Sequence, residues 1–214
     1  MFKVRIRFSK DGALRFIGHL DFLRVFQQAL RRSELPVAYS QGFNPHIQLS
    51  FALPLPLGMA SANDYADLTL KESVNMENAK KLLQNQAPLG LTIKKMWETE
   101  GRNAASITAA ADYELKCDES EMPSIREAAK NLLAANVYMI PKKTKGGIKD
   151  TDIRPDIMSI ETSGNTAVMR LAAGSGRFLN PLTAAAILLG RETAACEIIR
   201  LELYEKIGEA FVPI

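Results

Sequence analysis

The sequence predicts an α+β fold built from two similar units with antiparallel sheets. Three observations support this prediction. Strand and helix patterns follow one another in the order β-α-β-β-α-β over the first half of the chain. The second half repeats this order without obvious residue identity. The length of 214 residues suits two domains of about 100 residues each, which we place at 1–102 and 103–214, linked through the segment 99–108.

The first half begins with a strand followed by a helix. Residues 2–8 alternate apolar and basic side chains, which is the period-two pattern of a strand with one buried face. Apolar residues at helical spacing predict a helix over 19–33, with Gly18 as its N-cap and Pro36 as its stop. The remaining elements are two short strand stretches within 37–53, a strand over 64–72, a helix over 76–87 and a strand over 91–98.

The second half contains the same kinds of element in the same order. They are a strand over 113–117, a helix over 124–135, a strand over 137–140, a hairpin over 153–162 and 166–172, a helix from Asn180 or Pro181 to Leu189, and a strand over 196–204. The basic, Gly-rich stretch 141–149 is predicted to be an exposed loop. Apart from one extra strand stretch between the two helices of each half, this order of elements is the β-α-β-β-α-β order of the ferredoxin-like unit, so we expect two tandem ferredoxin-like units.

Composition and charge narrow the class of protein. The chain is 47% apolar and 24% charged, which excludes collagen-like, disordered and disulfide-scaffold proteins. Its net charge of +3 is the sum of +5 in residues 1–50 and −2 in the rest. Cys117 and Cys196 are far apart, so we expect reduced thiols. The sequence has no apolar run of about 18–20 residues, and we expect a cytoplasmic protein with no membrane partner.

Basic, aromatic and amide side chains predict contacts with nucleic acid. The segment 39–46 combines rings on which bases stack with amides that read base edges. The alternative for this segment is a tight turn, in which Gly42 takes a positive φ, Asn44 caps the turn and the aromatic residues anchor it to the core. The candidate nucleic-acid-binding residues are Lys3, Arg5, Arg7, Arg15, Arg31, Arg32, Tyr39, Gln41, Phe43, Asn44, His46, Lys142, Lys143, Lys145 and Arg177.

His19 and His46 are the two histidines of the chain and the candidates for acid–base catalysis. The alternative is a structural, hydrogen-bonded histidine at each position. No cysteine stands near either residue in the sequence, so we expect no metal site. The Gly174–Gly176 segment precedes a helix, a position where backbone N–H groups can bind a phosphate. It lacks the spacing of a nucleotide-binding loop, and the alternative interpretation is a flexible turn.

Several segments together resemble the bacterial radical-SAM-linked family of unknown function (DUF2344-type). They are RFIGHLD at 15–21, LRR at 30–32, LPVAYSQGFNPH at 35–46, SFALPLPLG at 50–58, DIRP at 152–155, AGSG at 173–176 and NP at 180–181. The resemblance implies a radical-SAM partner, because members occur beside or fused to a radical-SAM protein with a cobalamin-binding-like region. This chain lacks CxxxCxxC, so we expect it to bind no cofactor and expect the iron–sulfur cluster and S-adenosylmethionine only on the partner.

These observations lead to one main hypothesis and two alternatives. The main hypothesis is a non-catalytic RNA-binding or substrate-presenting accessory module for a radical-SAM enzyme. The first alternative is a metal-independent endoribonuclease or RNA-modifying enzyme, since tandem ferredoxin-like units look like the CRISPR repeat-processing endoribonucleases. That likeness concerns the fold alone. The second alternative is a protein-interaction domain that docks a radical-SAM partner through residues 54–58.

Overall fold

A computed structural model describes residues 1–144, 147–191 and 197–214. The chain divides into two compact units. The first comprises Met1–Thr108 and Arg200–Ile214, and the second comprises Ala109–Ile199. The division we placed after residue 102 therefore falls just before the observed one, and residues 200–214 belong with the first unit rather than with the second half.

Helices and largely antiparallel strands confirm the α+β class. In chain order, the first elements are β1 (Phe2–Lys10), α1 (His19–Arg32), β2 (Leu49–Phe51), β3 (Ala60–Leu70), α2 (Met76–Gln86), β4 (Leu91–Glu98) and α3 (Ala104–Ile107). They are followed by β5 (Thr108–Lys116), α4 (Met122–Ala134), β6 (Met139–Thr144), β7 (Gly147–Asp152), β8 (Ile157–Ser163), β9 (Thr166–Ala172), α5 (Pro181–Leu189), β10 (Glu197–Ile207) and β11 (Ala210–Pro213). Within the described residues, no helix is long and apolar enough to cross a membrane.

The sheet of the first unit has β1 at its centre. β1 pairs antiparallel with β3 on one side and with β4 on the other, β2 also pairs antiparallel with β3, and β10 lies next to β3. One face of this sheet forms the hydrophobic core with α1 and α2. Its main members are Val4, Ile6, Phe8, Phe22, Phe26, Leu30, Leu68 and Leu83. The apolar positions of β1 predicted this buried face, and the basic positions lie on the other.

The second unit contains the antiparallel strands β5, β8 and β9 and a separate ribbon. β9 pairs antiparallel with β5 and with β8, while α4 contacts both α5 and β8. β6 and β7 form a two-stranded antiparallel ribbon of their own. The prediction of a loop over 141–149 was therefore wrong. A solvated ribbon buries neither face, so it leaves no alternation of apolar residues by which the sequence would reveal it.

The other predicted elements are found, the helices with small shifts and several strands with ends displaced by four or five residues. The four predicted helices correspond to α1, α2, α4 and α5, with ends that differ by at most two residues. Within 37–53, the described structure contains β2 and the isolated bridges Val37–Leu70 and Tyr39–Ile47 in place of two strands. α3 and β11 were not predicted. The tandem ferredoxin-like arrangement stays a prediction.

Candidate functional site

The segment 39–47 forms an exposed loop that is closed at its base. Tyr39 and Ile47 form an isolated antiparallel bridge. Next to it, the Ser40 amide donates to the His46 carbonyl at 2.8 Å, and the His46 amide donates to Ser40 Oγ at 3.0 Å. Gly42 has a φ of 117°, as the tight-turn alternative required. These bonds restrict the loop, because its two ends are tied together by backbone and side-chain contacts.

The tip of this loop presents its polar and aromatic side chains to solvent. Gln41, Asn44 and His46 are exposed, and Phe43 is fully exposed. Tyr39 is half-buried against the core, with the Lys71 ammonium 6.0 Å from its ring centroid. One aromatic residue therefore anchors the loop as the tight-turn alternative expected, whereas the ring of Phe43 remains open to a ligand.

The basic row on β1 is largely neutralised by acidic residues. Arg5 is buried, and its guanidinium donates to both oxygens of Asp67, at 2.8 and 3.1 Å. Arg7 pairs with Glu202 at 2.5 Å. Lys3 is exposed. Arg5 and Arg7 thus stabilise the sheet through ion pairs, and Lys3 is the member of the row whose side chain lies in solvent.

The other basic candidates of the first unit lie at the ends of helical segments. Arg31 and Arg32 are exposed in the last turn of α1, where Arg32 donates to the Gln86 carbonyl at 3.0 Å. The Arg15 guanidinium lies 4.7 Å from the ring centroid of the exposed Phe16. Arg31 and Arg32 therefore present positive charge to solvent, whereas Arg15 is half-buried.

In the second unit, the ribbon of β6 and β7 contacts the segment that follows Gly174–Gly176. Lys142 on β6 donates to the Phe178 carbonyl at 3.2 Å and lies opposite Lys149 on β7. Arg177 forms an ion pair with Asp156 and keeps more than half of its side chain exposed. Lys143 lies on β6, and Lys145 lies outside the described residues. The ribbon and the segment around Arg177 are far apart in the sequence, and the fold brings them into contact.

The two histidines have different surroundings. His19 begins α1, is half-buried, and has its ring centroid 5.7 Å from that of Phe51. Burial, and secondarily the positive charge of Lys10, lower the pKa of His19 below its usual value. His46 lies exposed in the loop described above. In the described parts of the chain, no three His, Cys, Asp or Glu residues cluster as metal ligands would.

A small cavity in the first unit is lined by Lys10, Asp64 and Tyr65, which are titratable residues that the sequence did not single out. It measures about 10 Å³ and is lined by Phe8, Lys10, His19, Phe22, Phe51, Leu53, Leu55, Asp64 and Tyr65. A signal for Lys10 was present in the sequence. It occupies the even-numbered register of β1, the register of the buried Val4, Ile6 and Phe8, so alternation places its side chain on the core face.

The charges beside this cavity are buried. Arg200 donates to Asp64 Oδ1 at 2.5 Å and to the carbonyl of Leu53 at 2.9 Å. Burial lowers the pKa of Lys10, an effect that the charge of Asp64 partly opposes. Burial likewise raises the pKa of Asp64, and the Arg200 guanidinium acts in the opposite direction. The cavity therefore has a buried cation on its wall and a half-buried imidazole beside it.

Taken together, the fold and these sites define an α+β protein with an exposed aromatic loop, a basic ribbon and a small charged cavity. The chain belongs to the family described as "Uncharacterized protein conserved in bacteria (DUF2344)", whose model matches residues 3–181. No curated protein matched the sequence. A crystal structure of an unknown protein from Galdieria sulphuraria is 13% identical over 96% of this chain and 99% of that chain, with a TM-score of 0.29.

Proposed function

We propose that this protein is a non-catalytic RNA-binding module that presents RNA to a radical-SAM enzyme in the cytoplasm. The observation that carries the RNA-binding part is the loop at 39–47. Its tip exposes the whole ring of Phe43 next to two amide side chains and an imidazole. Single-stranded RNA is bound by this combination, since unpaired bases stack on aromatic rings and offer their edges to amide groups.

The closed base of the loop favours binding. The bonds between Ser40 and His46 hold the tip before a ligand arrives, so less conformational entropy is lost when RNA binds. A fully exposed phenyl ring gains nothing from the folded state, whereas stacking on a base contributes about 1–3 kcal/mol. The loop is thus better suited to a ligand than to stabilising the fold.

The exposed basic residues supply the electrostatic part of the proposed interface. In the second unit, Lys142, Lys149 and Arg177 lie on or beside the ribbon and reach solvent. Basic side chains of this kind attract phosphates without regard to sequence. We assign no RNA contact to Arg5, because its guanidinium is buried against Asp67.

The radical-SAM part rests on the sequence resemblance of the segments between residues 15 and 181. In this proposal the partner carries the iron–sulfur cluster and S-adenosylmethionine, and this chain supplies binding surface. We further infer that the first unit has the ferredoxin-like topology. Its elements follow the order β-α-β-β-α-β, and β1 pairs antiparallel with both β3 and β4 while β2 pairs with β3.

RNA binding is tested with a fluorescently labelled single-stranded RNA of mixed sequence and the Phe43→Ala variant. Loss of one stacked base is expected to raise Kd by about 5- to 150-fold, whereas Phe43→Tyr retains a ring and the affinity. Phe16→Ala removes another exposed aromatic side chain of the same unit and is the matched control. Equal affinities of the wild type and Phe43→Ala would refute the role of the loop.

Two alternatives are resolved by companion measurements. Protein docking is favoured by the segment 54–58, where Leu57 is exposed and the Gly58 amide donates to the Arg15 carbonyl at 2.7 Å. Leu57→Asp should abolish capture of the radical-SAM protein if that segment docks it, and should leave RNA affinity unchanged. RNA cleavage that disappears in the His19→Ala, His46→Ala double variant would instead establish the enzyme alternative and refute a non-catalytic module.

A further inference from the structure

We propose that the outer strand of the first unit's sheet binds one unpaired base and the adjoining phosphate of single-stranded RNA at a bulge in β4. The bulge surface consists of Lys94, Lys95 and Trp97. This inference rests on the proposed RNA-binding function, and it adds a contact site that uses none of the residues of the loop at 39–47.

The register between β1 and β4 shows how the bulge forms this surface. Lys95 lies opposite Arg7, and the register shifts before the next pair, so Lys94 is an extra residue in β4. A bulge of this kind sets two residues of one strand against one residue of its partner. Both lysines are exposed, while Ile93 and Met96 on either side of them are buried. The bulge therefore turns two consecutive lysines to solvent, where a regular strand would alternate between the two faces.

Trp97 adds an aromatic ring beside these lysines. It is two residues beyond Lys95 and so shares the same face of β4. The Lys95 ammonium lies 5.3 Å from the centroid of the Trp97 ring. The rings of Trp97 and Tyr65 are nearly perpendicular, with centroids 6.3 Å apart, and Tyr65 is buried while Trp97 is half-buried. The contact with Tyr65 fixes the orientation of the indole, and the indole keeps a part of its surface in solvent.

The lysines of the bulge surface have no ion-pair partner within the described residues. Lys94 Nζ donates to the amide oxygen of Asn63 at 3.1 Å, and Lys95 Nζ contacts the Trp97 ring. Two carboxylates of β3 and β10 bind the arginines of β1. The fold thus supplies neutral contacts for both ammonium groups, and their positive charges remain available to an anionic ligand.

An accessible ring between unpaired cations indicates the class of ligand. Proteins hold single-stranded nucleic acid by combining aromatic rings, on which bases stack, with basic side chains that follow the phosphates. Side chains on one face of a strand repeat about every 6.6 Å, so one nucleotide can stack its base on Trp97 while its phosphate meets Lys95. The bases of a duplex are already stacked on one another and cannot reach the ring. The bulge surface therefore fits single-stranded RNA.

The test uses intrinsic fluorescence, because Trp97 is the one tryptophan of the chain. Single-stranded RNA of mixed sequence is titrated into the wild type, and Trp97 emission is compared with the anisotropy of the same RNA carrying a fluorescent label. Saturable quenching with the Kd given by anisotropy is expected, and duplex RNA should give no quenching. Binding seen by anisotropy with unchanged Trp97 emission would overturn this site and leave the loop at 39–47 in place. No binding by either measurement would refute the RNA-binding function itself.

Variants separate stacking from charge. Trp97→Leu should raise Kd by about 5- to 150-fold, the loss of one stacked base, whereas Trp97→Phe keeps a ring and the affinity. Lys95→Gln should reduce the slope of log Kd against log salt by about 0.7, and Lys81→Gln, which alters an exposed lysine on α2, should leave it unchanged. If Trp97→Leu does not fold, Lys95→Gln decides the question, and an unaltered slope overturns the proposal.

The structural alternative is that these lysines protect the edge of the sheet. β4 is its outer strand, and exposed lysines on an edge strand discourage association with another edge. The double variant Lys94→Gln, Lys95→Gln distinguishes the two roles. The proposal expects a salt slope lower by about 1.4, for two lost phosphate contacts. Self-association in sedimentation velocity, together with the wild-type RNA affinity and salt slope, would show that the lysines only guard the edge and would overturn the proposal.

Discussion

Replacement of Asp67 by alanine is expected to destabilise the first unit strongly. The Asp67 carboxylate accepts three hydrogen bonds, from Arg5 Nε at 2.8 Å, from Arg5 Nη2 at 3.1 Å and from the Ala104 amide at 2.6 Å. Asp67→Ala would leave a buried guanidinium with the Arg102 carbonyl, at 2.8 Å, as its remaining acceptor. Breaking a buried ion pair from one side lowers the free energy of unfolding by about 3–5 kcal/mol.

Two variants check that this loss comes from burial of the pair. Asp21→Ala breaks the exposed pair with Arg24, whose side chains are 62% and 71% exposed, and should lower the free energy of unfolding by at most about 1 kcal/mol. The double variant Arg5→Met, Asp67→Asn removes both charges and keeps an acceptor for the Ala104 amide. It should unfold within about 1–2 kcal/mol of the wild type.

The assay is equilibrium unfolding in guanidinium chloride, supported by thermal unfolding. For a chain of this size, each kcal/mol shifts Tm by about 2–4 °C, so Asp67→Ala should lower Tm by about 6–20 °C. The double variant should bind RNA as well as the wild type, because Arg5 is assigned to the sheet. If Asp67→Ala loses no more stability than Asp21→Ala, or if the double variant loses RNA affinity, the structural assignment of Arg5 is refuted.

Three further predictions concern backbone strain, pH and salt. Gly90→Ala should lower Tm, since Gly90 has a φ of 89° and an added Cβ would lie 2.6 Å from the Asp11 backbone oxygen. The control is Gly101→Ala, whose Cβ would lie 3.5 Å from its nearest atom, and an equal loss of Tm in that variant would contradict this explanation. Burial and a hydrogen bond to a glutamate raise the pKa of Tyr65. The stability that this shift contributes is therefore present below a pH of about 10, where unfolded tyrosine ionises, and is lost as the pH rises further. In urea unfolding, the free energy of unfolding of Tyr65→Phe should decline less steeply above a pH of about 10 than that of the wild type, and an unchanged slope would refute this role of Tyr65. Lys142→Gln and Lys149→Gln should each reduce the slope of log Kd against log salt for single-stranded RNA by about 0.7, and unaltered slopes would exclude phosphate contacts by the ribbon.

The sequence predicted the regular elements well where burial imposes a period. Alternation in β1 and helical spacing in α1 placed both elements and their core faces, because each buries one side of itself against the same core. It did not reveal the ribbon of β6 and β7, since backbone pairing in solvent requires no apolar pattern. Residues 200–214 return to the first unit, which a count of strands along the chain did not indicate.

The candidate site was predicted in part, because exposure depends on contacts between distant residues. Local signals indicated that the segment around Gly42 turns and that Phe43 has polar neighbours, and the structure adds that Phe43 is exposed while Tyr39 packs inward. Lys3, Arg5 and Arg7 of β1 were predicted to contact nucleic acid. Asp67 follows Arg5 by 62 residues and Glu202 follows Arg7 by 195, and no local pattern shows that these side chains meet.

The sequence by itself determined the α+β class, the positions of the main helices, the buried face of β1 and membership of the bacterial family. These properties follow from local periodicity and from the identity of residues along the chain. The tertiary structure alone decided which charges remain in solvent, that Lys142 meets the Phe178 carbonyl, and that Lys10 and His19 line one cavity. Such properties depend on burial and on pairing between residues far apart in the chain, and electrostatic and hydrogen-bond energies change with that environment.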